Sequence, residues 1–269
     1  MSEPIILSHL DEQGVATLTM NRPELHNAFD QQLIVELTAE LKRLEGDPRV
    51  RVVRLAGAGK SFSAGADLNY MRRMASYTRD ENMDDAVVLA GLMQTLNALG
   101  KPTIALVQGV AYGGGVGLAS CCDIVLATER ATFCLSEVKL GIIPVVISPY
   151  VIAAIGARAC RRYFQTAEAF DAREACRLGL VNEVVADQDA LMERSAQLAA
   201  QLLKNAPSAM SEAKRMIPVI AGRPVDDELI AETAAHIADR RASAEGREGL
   251  AAFLEKRKPG WITSLPTAG

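Results

Sequence analysis

The sequence predicts an α/β core built from ββα-like turns, followed by an almost wholly helical C-terminal part. Two observations carry this expectation. Up to Gly156, short β-branched runs alternate with amphipathic stretches, and extra strands between the helices break a pure Rossmann rhythm. Beyond Gly156 the chain turns almost wholly to helical stripes.

The elements follow in order. IILSHL and VATLTMN form a hairpin around Asp11–Gly14, and NRPELHNAF is a loop. A helix starts at about Asp30, with Leu33, Leu37, Leu41 and Leu44 stepping along one face. VRVVRLAG is a strand that closes on Gly57. A second helix from about Asn82 carries Val87, Leu89, Leu92, Met93, Leu96 and Leu99. Strand TIALVQG leads into the glycine run 113–115, a short helix VGLASCC, strand DIVLAT and the segment ATFCLSE. The later helices are expected at Ala157–Thr166, Ala172–Leu178, Gln188–Asn205, Ser208–Ala221, Asp226–Ala242 and Glu245–Lys256. No low-complexity linker interrupts the chain, so residues 1–200 form the core and 201–269 a helical region of the same domain. The amphipathic stripes there need a partner surface, either the core or another subunit.

Composition narrows the function. The 269 residues are 49% hydrophobic and 23% charged, as in a soluble globular protein, and the net charge of −4 offers no footprint for nucleic acid. Five cysteines without a C-x-x-C motif, and three scattered histidines, argue against a disulfide frame and a metal site. They read as buried thiols in a reduced cytosol. The N-terminus lacks a signal-peptide core, and Pro144 and Pro149 break the longest apolar stretch. The expected setting is cytoplasmic, without a membrane partner.

Three glycine signals point to different mechanisms. LAGAGKS ends like a phosphate-binding P-loop, but Arg54 stands where its first glycine belongs. A dinucleotide fingerprint in the later run fails in both registers, at Leu118 and at Ser120. The third reading pairs SAGAD (63–67) with GGG (113–115), two small-residue turns whose N–H groups a ligand can approach. The second opens a helix, and the two together suit an oxyanion hole; tight strand–helix packing is the alternative. No G-x-S-x-G elbow is present. Glu137, an acid in the apolar segment CLSEVKLG, is the acid–base candidate, or else a capping or salt-bridged carboxylate.

Taken together, these motifs resemble the crotonase, or enoyl-CoA hydratase/isomerase, superfamily. The resemblance spans nearly the whole chain: NRPELHNAF, SFSAGADL, KPTIALVQGVAYGGGVGLASCCDIVLATERATFCLSEVKLGIIP, AREACRLGLVNEVV and FLEKRKPGW. It implies a crotonase-type spiral of ββα turns with a C-terminal helical trimerisation region. It also implies homotrimers or dimers of trimers, acyl-CoA thioester substrates, and no metal or redox cofactor beyond the substrate's own coenzyme A. The oxyanion pair falls on Ala66 and Gly114, with coenzyme A contacts on Ala28, Lys60, Ala64, Asp67 and Leu68. Lys60 is otherwise a solvated surface lysine. Phe253 and Lys256 match residues that reach the coenzyme A of a neighbouring subunit.

Two departures stand out. Well-studied hydratases of the superfamily carry glutamates in G-G-G-x-E and in the motif matching SEVKLG; Glu137 fills the second place, but Gly117 occupies the first. PVVISPYV (144–151) replaces the usual P-G-G-G-G-T-Q-R run. Val145 stands where the aryl-CoA dehalogenase keeps its nucleophilic Asp, which excludes that chemistry. The combination of GGGVGL, LSEVKLG, ISPYV and RRYF is similar to bacterial methylglutaconyl-CoA hydratases. The implied reaction is hydration of a 2-enoyl-CoA, 3-methylglutaconyl-CoA or a related branched glutaconyl-CoA, in leucine or acyclic terpene breakdown. A Δ3/Δ2-enoyl-CoA isomerase using Glu137 alone and a catalytically silent homologue are the alternatives. Met71, Val145, Ser148 and Tyr150 are pocket candidates, with Met74, Met93, Val146 and Ile147 as acyl-lining or core residues.

Overall fold

The computed structural model describes residues 4–263. Strands β1 (Ile6–Leu10) and β2 (Val15–Met20) pair antiparallel. The hairpin turns where expected, because the Asp11 carboxylate accepts the Gln13 and Val15 N–H groups. Helix α1 (Gln31–Gly46) is capped by Asp30, whose side chain accepts the Leu33 N–H, and it buries Leu33, Ile34, Leu37, Leu41 and Leu44. Strand β3 (Val52–Gly57) then pairs parallel to β2.

Two helices follow. The first, α2 (Leu68–Met74), has no counterpart in the sequence reading: seven residues show too little periodicity, and the Asp67 cap is its main signal. The second, α3 (Arg79–Asn97), starts three residues before Asn82 because Thr78 and Glu81 form a reciprocal capping box.

The ββα reading acquires a spatial meaning in the next segment. β4 (Thr103–Val107) joins the main sheet, whereas β5 (Val110–Tyr112) leaves it and precedes α4 (Gly114–Cys121). β6 (Ile124–Thr128) and β7 (Thr132–Cys134) repeat the division. A 3-10 turn at Glu137–Leu140 leads to α5 (Ser148–Thr166). The helix expected from Ala157 therefore begins nine residues earlier. Pro149 occupies its first turn, where a missing N–H costs nothing, and the chain kinks at Gly156 (φ 76°).

β8 (Phe170–Asp171), α6 (Ala172–Leu178) and β9 (Glu183–Val185) complete the strands. The main sheet runs β1-β2-β3-β4-β6-β9, parallel beyond the first pair, and the small sheet runs β5-β7-β8. Helices α7 (Gln188–Leu202), α8 (Pro207–Ile220), α9 (Asp227–Ala242), α10 (Ala244–Leu254) and α11 (Gly260–Thr263) finish the described chain. Lys256 lies past the end of α10 in a left-handed conformation (φ 56°), so the expected helix to Lys256 stops short.

One large cluster joins α1, α3, α4 and α5 to a face of the main sheet. A smaller cluster of Val15, Val52, Ile104, Leu106 and Leu126 meets Leu191, Ala199 and Leu203 on the other face. All five cysteines are free, and among the described residues no helix is long and apolar enough to cross a membrane.

Candidate active site

The two glycine-bearing turns meet. Ser63 is bridged to Ala111: its N–H donates to the Val110 carbonyl at 3.0 Å, and its carbonyl accepts the Tyr112 N–H at 2.9 Å. This clamp lays SAGAD beside the end of β5. A Cβ placed on Gly113 would come within 3.9 Å of the Gly65 Cα, and Gly113 itself has φ 50°. Buried polar side chains brace the arrangement from behind. Asn27 donates to the Ala58 and Ser61 carbonyls, and Gln108 donates to Gly57 and Ser61. Sequence reasoning missed both residues; for Gln108 its polarity at the end of the apolar run TIALV was the available signal.

Several N–H groups are left over at this junction, those of Ala66 and Gly114 among them. Phe29 and Ala66 form a parallel bridge in which Phe29 donates to the Gly65 carbonyl and accepts from the Asp67 N–H. In that pattern the N–H of Ala66 points to the opposite side. Gly114 begins α4, and the N–H groups of a first helical turn have no intrahelical acceptor. Neither group donates to an acceptor among the described residues. Phe29 also packs its ring on Gly114: a Cβ there would lie 2.3 Å from Cε2, so the helix start is held against an aromatic plane.

Glu137 stands on the third side. Its Oε1 lies 3.1 Å from where a Gly113 Cβ would be, and its Oε2 is buried without a hydrogen-bond partner. Burial pushes the carboxyl above the usual carboxylate range, with no cation to oppose it. Neither a cap nor a salt bridge accounts for Glu137 among the described residues, since the 3-10 turn it opens has no side-chain cap and no ion pair includes it. Two unpaired donors close to a half-buried carboxylate can hold an oxyanion while a proton moves at an adjacent carbon.

Gly117 lies one turn along α4 from Gly113, on the same face; its N–H donates to the Gly113 carbonyl at 3.2 Å. The space that its side chain would take is filled from elsewhere. A Cβ there would meet Ile147 Cγ2 at 2.4 Å and Met93 Cε at 3.2 Å. Ile147, at the N-cap of α5, is 3% exposed, and Met93 is fully buried.

Comparison with known proteins gives the family. The enoyl-CoA hydratase/isomerase family model matches residues 11–264. The chain belongs to that family. A solved enoyl-CoA hydratase from Shewanella pealeana is 44% identical, with a TM-score of 0.93 and 96% of each chain covered. The short-chain-enoyl-CoA hydratase of Clostridium acetobutylicum is 34% identical, over 93% of this chain and 95% of its own. The 2,3-dehydroadipyl-CoA hydratase of Escherichia coli is 33% identical, over 96% and 98%. The protein is thus a crotonase-superfamily enzyme with the α/β crotonase fold.

The other residues expected to serve this crotonase scatter in character. Ala28 is buried, Ala64 is half-buried, and Leu68 and Lys60 are exposed near the same loops. The Asp67 carboxylate is committed to capping α2, where it accepts the Asn69 and Tyr70 N–H groups. Met71 is half-buried on α2, which Tyr70 ties to α3 through a hydrogen bond to Asp85. Val145 is 57% exposed, and its carbonyl accepts the Ser148 hydroxyl at 2.8 Å. Tyr150 is half-buried and packs on the core. Phe253 is 80% exposed on α10, whose main contacts are with α8 and α9. A 660 Å³ surface groove between α5 and α6, lined by Arg158, Arg162, Tyr163 and Arg177, includes none of the glycine-turn residues.

Proposed function

We propose that the protein hydrates a 2-enoyl-CoA thioester, with 3-methylglutaconyl-CoA or a related branched glutaconyl-CoA as substrate. The observation that carries this reading is the pair of unpartnered N–H groups, on Ala66 and Gly114, near the half-buried Glu137, whose Oε2 is buried without a hydrogen-bond partner. The thioester oxygen sits between the two N–H groups. Water adds to C3 while Glu137 takes its proton, and the negative charge that reaches the thioester oxygen is met by both donors. The proton then passes from Glu137 to C2, which restores the thioester and the carboxylate. Removing one such donor from an oxyanion hole typically costs about 2.7–4 kcal/mol of barrier.

The choice of acyl group rests on similarity of GGGVGL, LSEVKLG and ISPYV to methylglutaconyl-CoA hydratases. Ala28, Lys60, Ala64 and Leu68 surround the coenzyme A moiety in this reading, and no metal or redox cofactor takes part. Exposed apolar residues on α8 to α10, including Ile217, Ile230, Ile237, Leu250 and Phe253, suit a homotrimer or dimer of trimers. The function is tested by turnover of crotonyl-, 3-methylglutaconyl- and isohexenylglutaconyl-CoA. A branched glutaconyl thioester is expected to give the highest kcat/KM, and a preference for crotonyl-CoA contradicts the acyl assignment.

A second reading is favoured by Gly117. A single carboxylate suffices for a Δ3/Δ2-enoyl-CoA isomerase, in which Glu137 carries a proton between C2 and C4. Supplying a Δ3-enoyl thioester decides between the two: an isomerase moves its double bond, and a hydratase leaves it.

A further inference from the structure

We infer that Phe29 is the positioning residue of the proposed oxyanion hole: its main chain aims the Ala66 N–H, and its ring sets where the Gly114 N–H stands. The inference rests on the hydratase reading, which needs both donors on one oxygen. Phe29 is 3% exposed and touches both donor residues. On the Ala66 side the contact is polar. The Phe29 N–H donates to the Gly65 carbonyl at 2.6 Å, and the Phe29 carbonyl accepts the Asp67 N–H at 2.8 Å. These bonds hold the two peptide groups that flank Ala66. Both peptides are trans, and a trans peptide is planar, so fixing the Gly65 carbonyl also fixes the opposite direction of the Ala66 N–H. On the Gly114 side the contact is apolar. A Cβ there would fall 2.3 Å from Cε2, 2.7 Å from Cδ2 and 3.4 Å from Cζ, so the ring edge occupies the place of a side chain.

Ser63 serves the same junction differently. It bridges to Ala111 and lies against Gly115, and so joins the two turns in register. Phe29 instead reaches from one donor residue to the other. Its ring belongs to the large apolar cluster with Leu33 and Val116, and in a close-packed interior it cannot drift without moving them. The separation of the two donors is therefore set by one flat, rigid side chain anchored through its own backbone. The same packing accounts for glycine at 114, where the ring leaves no room for a Cβ. Spacing matters because each donor must lie about 2.7–3.1 Å from the oxyanion. A displacement of about 1 Å can cost about 10²-fold in rate.

The test truncates the ring and leaves the main-chain bonds in place. In Phe29→Ala, kcat and kcat/KM on crotonyl- or 3-methylglutaconyl-CoA should fall together by about 10²-fold. Phe29→Leu, an apolar filler without the flat ring, should show a smaller fall. The direct readout is the infrared carbonyl stretch of 3-methylglutaryl-CoA, a saturated thioester that adds no water, labelled with ¹³C at the thioester carbon. Bound to wild-type enzyme, the stretch should move to lower wavenumber than in the free thioester. Phe29→Ala should lose most of that shift, and Phe29→Leu part of it. Leu41→Ala truncates the core about 15 Å along α1 from its first residue. It should lower stability yet keep both the shift and kcat. An unmoved shift and kcat in Phe29→Ala, or in Phe29→Leu where the alanine variant does not fold, overturns the inference. An equal loss in Leu41→Ala overturns it too. A wild-type enzyme whose bound thioester shows no shift refutes the oxyanion hole itself, and one that hydrates neither enoyl thioester refutes the hydratase reading.

Discussion

Gly113 to Gly115 and Gly117 sit within five residues of one another, and a Cβ at any of them would crowd a neighbour, yet the two ends of the run are built differently. At the first end the crowding comes from loop backbone, the Phe29 ring and the Glu137 carboxylate, and it leaves main-chain N–H groups free to meet a ligand. At the second end it comes from Ile147 and Met93, two core side chains that seal the helix face. Backbone donors define one turn of α4, and apolar packing defines the next. A glycine-rich sequence can therefore hold a polar site and a dry wall about 6 Å apart on one helix.

This contrast gives four predictions, from the largest effect to the smallest. Glu137→Gln keeps the shape of the site and removes the proposed proton carrier, so kcat should fall by about 10²–10⁴ while thermal stability is retained. Ala66→Pro removes one N–H that has no partner within the described protein, so kcat should fall by about 10²–10³, with the melting temperature checked in parallel. Gly117→Ala drives a Cβ into Ile147 and should cost about 1–3 kcal/mol in denaturant unfolding, a loss of packing rather than of chemistry. Asp67→Ala strips the cap from α2 and should cost about 1 kcal/mol, with a smaller change in kcat/KM than any site variant. If Gly117→Ala proved neutral in stability, the contrast between the two turns would be lost.

The pH dependence follows from Glu137. Burial raises its folded-state pKa, and hydration requires the ionised form to take the proton from water. Activity should therefore rise with pH through a limb that lies above the range of an exposed glutamate, and that limb should vanish in Glu137→Gln. Initial rates across pH at fixed thioester concentration measure it.

Much of this was legible in the sequence, for physical reasons that differ by element. α1 announces itself through Asp30 and a leucine stripe, and β2, β3, β4 and β6 through β-branched runs. The convergence of SAGAD and GGG was readable as two small-residue turns, but their clamp through Ser63 and Ala111 is a tertiary bridge with no local signature. α2 was too short to show a period. The first half of α5 was hidden because Pro149 reads as a breaker in an apolar run, whereas it sits in the first turn of the helix. The sequence also presents Gly117 as a place without a side chain. Only packing reveals that Ile147, thirty residues later, occupies it.

In the proposed reaction one half-buried carboxylate and two main-chain donors add water to a 2-enoyl thioester. Its most direct test follows oxygen from ¹⁸O-labelled water into the product of 3-methylglutaconyl-CoA, with wild-type enzyme and Glu137→Gln. Label is expected on C3 with wild-type enzyme and is expected to be lost in the variant. Product without label, or a variant that incorporates label as fast as wild type, would contradict the proposed reaction.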